Sequence, residues 1–404
     1  MKQGIALLLL LAALLLLTGC SGGQEIEDCL FVISMAVDPA ENGSLTVTVK
    51  ALSGTQEASA PQEAGSPQTA SAPQGEAPGQ TGGAQDAGEN TEPGYVVMSA
   101  TAKSCLAALN LLGATTPRTV NLSQLQEVVI SQTLAETDAT LSILKEIYAL
   151  YEANGGAVVV ITPDDAGDFI RRQYAMFGVR LSQYLQVLFK HFEELGTIPP
   201  EPSLAAVIAA MESGMRDAAA VYAAANDFTA TLLLPADSAT DRLPGHLPRT
   251  SPARNEYLGS AVFSGPRMAG TLTGQETTLL RLLSGRAVAT SFALEEAMVQ
   301  TARRSRVRLT LERDESADVL GAEISMRLTL SAGTLERTDT EIAAQIERDA
   351  AALIGKLQAL GSDVLGYGGL AARRYRDIPA WEASGWEAAY AGAVVRVTAD
   401  VTIR

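Results

Sequence analysis

Histidine and cysteine are scarce. The 404 residues hold two histidines, His191 and His246, and three cysteines, Cys20, Cys29 and Cys105. A zinc site or a Cys–His catalytic pair is nearly excluded by that inventory. Basic side chains are also short, with 30 Lys and Arg against 46 Asp and Glu for a formal charge of −16. Phosphate binding needs a basic footprint, so the balance argues against a nucleic-acid partner and against docking to an anionic bilayer through a polybasic face. Aromatic residues make up only 5%. No HExxH and no glycine-rich phosphate loop behind a strand occurs, so neither a catalytic constellation nor a cofactor site is read from the chain. The acidic pairs Asp164-Asp165, Glu193-Glu194 and Glu295-Glu296 are adjacent in sequence. Neighbours on a helix point about 100° apart, so such pairs form a solvated face rather than an acid/base couple.

The apolar share is 47%, enough for sizeable cores in a chain long enough for two to four domains. It opens on a targeting segment: Lys2, then the thirteen residues 5–17 built only from Leu, Ala and Ile. That is the length of a signal-peptide core and too short to span a bilayer. The run ends in Leu17-Thr18-Gly19-Cys20, which resembles the bacterial lipoprotein box. Residues 1–19 are therefore expected to be removed and Cys20 to carry a diacylglyceryl group. Two acyl chains suffice for stable anchoring. No later stretch reaches eighteen consecutive apolar residues.

Residues 30–37 read as a buried strand, and 44–50 alternate as its hairpin partner across Pro39-Ala40-Glu41-Asn42-Gly43. Residues 53–94 differ in kind: they are almost all Gly, Ser, Ala, Pro, Gln and Glu, with six acidic and no basic side chains. Such a composition cannot offset chain entropy by burial, and a disordered insert within a domain is expected. Beyond it, strand signals at 95–98, 126–130 and 157–161 alternate with helical stripes at 102–112 and 141–151. Thr133 with Glu136 reads as a capping box for the second of these helices. Thr162 reads as the cap of another, with Pro163 at its first position. Residues 171–225 read as helical apart from 196–202, and 237–254 as a proline-bearing loop. A hairpin is expected at 258–264 and 267–272. After it, Thr273 with Glu276 opens a helix to Leu283, and 286–294 is a strand. The last unit repeats that order: strands at 307–311 and 324–330, a long helix opened by Thr338 with Glu341 and closed by Gly361, and a strand at 393–403. The expected class is α+β, with three mixed α/β domains whose largely antiparallel or mixed sheets are flanked by helices. The expected divisions after the leader are 20–195, 196–295 and 296–404.

Several stretches, in order, resemble the C-subunit lipoproteins of spore germinant receptors, the Ger(x)C type. They are Leu17-Thr18-Gly19-Cys20 with Glu25-Ile26-Glu27 and 31–38; Ser99-Ala100-Thr101-Ala102-Lys103 leading to Thr116-Pro117-Arg118; the hairpin 261–272 with Glu276; the run 358–368, Gln-Ala-Leu-Gly-Ser-Asp-Val-Leu-Gly-Tyr-Gly; and Trp381 and Trp386 ahead of the last strand. The resemblance spans essentially the whole chain. It implies no enzyme activity and no cofactor. It implies a subunit held by lipid on the outer face of the spore inner membrane, in a nutrient receptor with an integral-membrane, permease-like B subunit and an A subunit. A substrate-binding lipoprotein of a transporter is the alternative from another class.

Asp363, Gly366, Trp381, Trp386 and Arg118 are the candidate partner surface. The structural alternatives are a hydrogen-bonded turn for Asp363, core packing for the two tryptophans and an internal salt bridge for Arg118. Cys29 and Cys105 fall on apolar elements and leave open a disulfide or two buried thiols. Limited proteolysis of the mature protein should cut first within 53–94, and deleting that segment should leave the melting temperature nearly unchanged. Strong amide protection there would contradict this.

Overall fold

The computed structural model describes residues 26–53, 94–150, 152–227, 242–249, 251–285, 291–294, 297–301, 308–313, 319–331 and 338–403, the stretch 291–331 through its backbone. The leader, Cys20 and nearly all of the expected insert lie outside the described residues.

A 3-10 turn, Ile26–Asp28, leads into β1 (Cys29–Ala40). Asn42 takes a left-handed φ of 55° in the following turn, and β2 (Ser44–Leu52) returns antiparallel, pairing Val37 with Val47. The strand β3 (Tyr95–Ala102) pairs with β2 in turn. On its other side β1 runs parallel to β4 (Thr119–Asn121) and to β5 (Glu127–Ser131). Next come β6 (Val158–Thr162), β7 (Ala219–Ala225), β8 (Asn255–Ser264) and β9 (Arg267–Leu272). The sheet order is β3-β2-β1-β5-β6-β7-β8-β9, with β4 on β1. A parallel centre is thus flanked by antiparallel hairpins, and strands from both sides of residue 196 share one sheet. All five residues of β5 are buried, as a strand covered on both faces requires.

The helices α1 (Cys105–Gly113), α2 (Gln132–Ala135), α3 (Ala139–Ala149) and α6 (Leu204–Ser213) supply residues to the core on one face. On the other face lie α4 (Ala166–Arg171) and α5 (Leu181–Leu195). After β9, α7 (Gly274–Leu283) packs with α8 (Asp339–Ala359). A second sheet holds β10 (Ser291–Leu294), β11 (Ala297–Thr301), β12 (Arg308–Arg313), β13 (Val319–Ser331) and β14 (Val394–Ile403). Its order is β10-β11-β13-β12, with β14 parallel to β13. Parallel neighbours need a crossover, and α8 lies in it. Three short helices, α9 (Tyr367–Ala372), α10 (Ile378–Glu382) and α11 (Trp386–Ala391), complete it. The mixed α/β architecture expected from the sequence is the one observed.

Both capping boxes expected ahead of α7 and α8 are present, with Thr273 and Thr338 each exchanging hydrogen bonds with the glutamate three residues on. Three local readings are corrected. Thr133 lies inside α2, and Glu136 instead accepts from Gln132 Nε2 at 2.7 Å. Thr162 ends β6, while Asp165 caps α4 by accepting from the Asp168 amide. Residues 219–225 form a strand, not a helix. Alanine favours helices intrinsically, but Ala220, Val221 and Ala223 are fully buried between β6 and β8, where ladder bonds and small side chains decide. Residues 286–290 of the strand expected at 286–294 lie outside the described residues.

β8 carries a bulge, because its pairing with β7 shifts between Val221 and Ala223. Gly259 sits there with φ +91°, and a Cβ would lie 2.2 Å from the Leu272 carbonyl oxygen. Gly259→Ala should therefore destabilise the protein by more than about 2 kcal/mol through strain and displaced backbone. A chemical-denaturation midpoint equal to wild type would contradict that.

Candidate functional site

The run 361–368 forms a joint between the large sheet and the C-terminal unit. Asp363 is 4% exposed. Its carboxylate accepts from the amides of Tyr367 (2.9 Å) and Gly368 (2.6 Å), which start α9. Across the joint, the Asp363 amide donates to Asp217 Oδ2 at 2.7 Å, and the Asp217 amide donates to the Asp363 carbonyl at 3.1 Å. Asp217 Oδ1 also accepts from the Gly265 amide in the β8–β9 turn at 2.8 Å. Ser362 Oγ donates to the Phe263 carbonyl at 2.5 Å, and Tyr390 OH to the Ser362 carbonyl at 3.0 Å. Gly366 lets the chain turn into α9 with φ +73°.

Both tryptophans belong to this joint. Trp381 is 6% exposed, and its ring lies 5.5 Å from Tyr375 and 5.7 Å from Trp386. Trp386 continues to Tyr390 at 5.9 Å, and Tyr390 to Tyr367 at 6.2 Å. Asp363 and Trp381 are thus interior groups that hold the C-terminal unit together, while Trp386 and Gly366 are partly covered beside them. Burial pushes the Asp363 carboxyl up to about 7, against the amides that favour its charge and with nearby Asp217 adding to the rise. Burial raises Asp217 as well.

Arg118 lies elsewhere. Its Nη1 donates to the Ser53 carbonyl at 2.9 Å, and the Ser53 amide donates to the Gly94 carbonyl at 2.9 Å. It therefore pins the neck where the chain leaves β2 and re-enters β3, through a carbonyl rather than a salt bridge. It also lines a groove of about 630 Å³ with α1 and β4. Cys29 and Cys105 are buried thiols, not a disulfide. Desolvation pushes the Cys105 thiol up to about 12.

A polar cluster inside the large sheet was not legible beforehand. Ser34 on β1 stands in register with Glu127 on β5 and Lys50 on β2. Glu127 is fully buried and Lys50 is 2% exposed. Gln173 joins them: its Nε2 donates to Glu127 and, at 3.2 Å, to Tyr257 OH, and its Oε1 accepts from Ser34 Oγ at 2.9 Å. Lys50 Nζ donates to the Gln173 carbonyl at 2.7 Å, and Tyr257 OH to Glu127 Oε2 at 3.3 Å. Burial pushes Glu127 up to about 7, although these bonds and the Lys50 charge oppose the rise. The signal the chain offers is a charged residue at a buried strand position: Lys50 follows Val47 and Val49 in β2, and Glu127 opens β5. Among the described residues no group of three His, Cys, Asp or Glu is placed to hold a metal ion.

Internally satisfied carboxylates and a hydrogen-bonded joint make the described residues a mixed α/β scaffold with two sheets. Two family profiles match the chain: "Spore germination protein N-terminal domain" over residues 22–224 and "Spore germination B3/ GerAC like, C-terminal" over 258–404. The chain belongs to the Ger(x)C family of germinant-receptor C subunits, a non-catalytic receptor-subunit family associated with membranes. Among solved structures it is similar to "Crystal Structure of the GerBC protein", at 10% identity and TM-score 0.48, covering 91% of this chain and 96% of that one. A search of curated protein sequences finds no match.

Asp363→Ala leaves two buried amides without an acceptor, and should cost about 2–6 kcal/mol at about 1–3 kcal/mol per lost partner. Asp363→Asn isolates the charge. Because folding raises this carboxyl from 3.8 to about 7, the folded state holds a proton that the unfolded chain has released. Its contribution is complete below about pH 4 and is lost as pH rises through 7. The melting temperature of wild type relative to Asp363→Asn should therefore fall between pH 5 and pH 8; a flat difference would contradict the shift.

Proposed function

We propose that this chain is the lipid-anchored, non-catalytic subunit of a nutrient germinant receptor in spore germination. A diacylglyceryl group on Cys20 would hold it on the outer face of the spore inner membrane, beside a permease-like integral-membrane B subunit and an A subunit. The observation that carries this reading is the pair of family matches spanning both parts of the chain. The lipoprotein box at 17–20 supports the anchor. Among the described residues no helix is long and apolar enough to cross a membrane, so membrane association needs another source. The charge of −16 opposes approach to an acidic bilayer, which leaves the affinity to the lipid. The buried carboxylates Glu127 and Asp363 are committed to internal partners, which supports the non-catalytic part. The family matches do not favour a transporter's substrate-binding lipoprotein.

Cys20→Ala should shift the protein from the membrane to the soluble fraction or leave the precursor uncut, and spores lacking the protein should fail to respond to its receptor's nutrient. An unmodified Cys20 in a membrane-free mature protein overturns the anchor. Micromolar solute binding by the isolated chain, with normal germination in the deletion strain, restores the transporter reading.

A further inference from the structure

The chain outside the described fold is short on the side of the anchor. Cys20 lies nine chain steps ahead of Cys29, with eight residues between them, and three of these, Ile26–Asp28, are wound into a 3-10 turn. At about 3.3–3.6 Å per extended residue and about 2 Å per 3-10 residue, the tether reaches at most about 28 Å. The start of β1 must then stay that close to the bilayer. Cys29 pairs directly with Thr119, the first residue of β4. So the end of the fold built from β4, the 116–118 turn and the last turn of α1 is the end held near the membrane.

That end carries the groove of about 630 Å³ between α1 and β4. Leu106, Leu109, Val120, Leu122 and Leu150 line it, with Arg118 and Glu152 among its polar groups. Leu106 is 49% exposed, and Leu111 farther along α1 is 51% exposed. Glu152 holds φ at 63°, a conformation costly for a residue other than glycine, and accepts from Asn121 Nδ2 within the groove wall. The groove's walls are about as polar as they are apolar; such a concave surface fits inserted side chains rather than a flat lipid surface, and the chain's negative charge opposes docking to anionic headgroups.

The two segments that leave the fold at that end, 54–93 beside Arg118 and 21–25 ahead of Cys29, supply no occupant: they contain no apolar side chain larger than alanine or proline. A second copy would bring another charge of −16 to the same site. We propose that the groove between α1 and β4 receives a short polypeptide segment of the integral-membrane partner, carrying apolar and polar side chains and exposed at the bilayer surface. The orientation rests on the lipid anchor at Cys20.

The test uses the full-length lipidated protein in spore membranes, with the photo-crosslinker p-benzoylphenylalanine replacing Asn110. Asn110 is an exposed groove residue. Mass spectrometry should identify an adduct to a multi-span membrane protein. The same probe at Val187 on α5, 61% exposed on the opposite face, should give none. Adding Leu106→Glu, which alters a half-exposed side chain and leaves the core intact, should cut the yield about tenfold. Adducts only to phospholipid, to a second copy or to residues 54–93 overturn the proposal. So do equal yields from both positions, or no adduct at Asn110. The anchor is read separately by fractionating Cys20→Ala: retention in the membrane fails that reading, while the adduct in the unaltered Cys20 protein decides the groove.

Discussion

Every strand of the large sheet is positioned, directly or through a neighbour, by β1. A buried strand must satisfy its amides and carbonyls on both edges. β1 does so with β2 on one side and with β4 and β5 in succession on the other. A one-residue slip would exchange its two faces and pull Ser34 away from Lys50 and Glu127. The register of β1 thus sets both hydrophobic layers and the polar cluster between them. It also sets which end of the sheet the residues ahead of Cys29 enter.

A chain with so much negative charge places few acids inside, and each interior acid has a built surround. Glu127 is met by Gln173, Tyr257 and the Lys50 charge; Asp363 is met by two helix-starting amides. Removing one partner from such a site leaves a buried group unpaired, which costs more than the net worth of the bond. These groups therefore define the joint and the sheet interior with little tolerance. The surface is left to carry the net charge.

The structure reassigns residues singled out for surface recognition. Trp381 and Asp363 build the C-terminal joint from inside, where an aromatic series and a backbone-anchored carboxylate meet. Arg118 secures the neck of the 53–94 segment. The groove between α1 and β4 leaves no mark in the sequence, because its walls come from α1, β4 and the end of α3. Their apolar residues read individually as ordinary helix and strand positions.

What the sequence by itself determined is local. The β1–β2 and β8–β9 hairpins follow from turn residues between alternating runs, and the caps of α7 and α8 from a threonine three residues ahead of a glutamate. These interactions close within a few residues, so their spacing is visible in the chain. Only the tertiary structure decided that the alanine-rich stretch 219–225 is a strand, since its neighbours β6 and β8 impose the ladder. It alone paired Asp363 with Asp217 across 146 positions and Ser34 with Gln173 across 139. Contacts of that separation leave no periodicity in the chain. They are specified by the packing of the whole core, which no window of sequence contains.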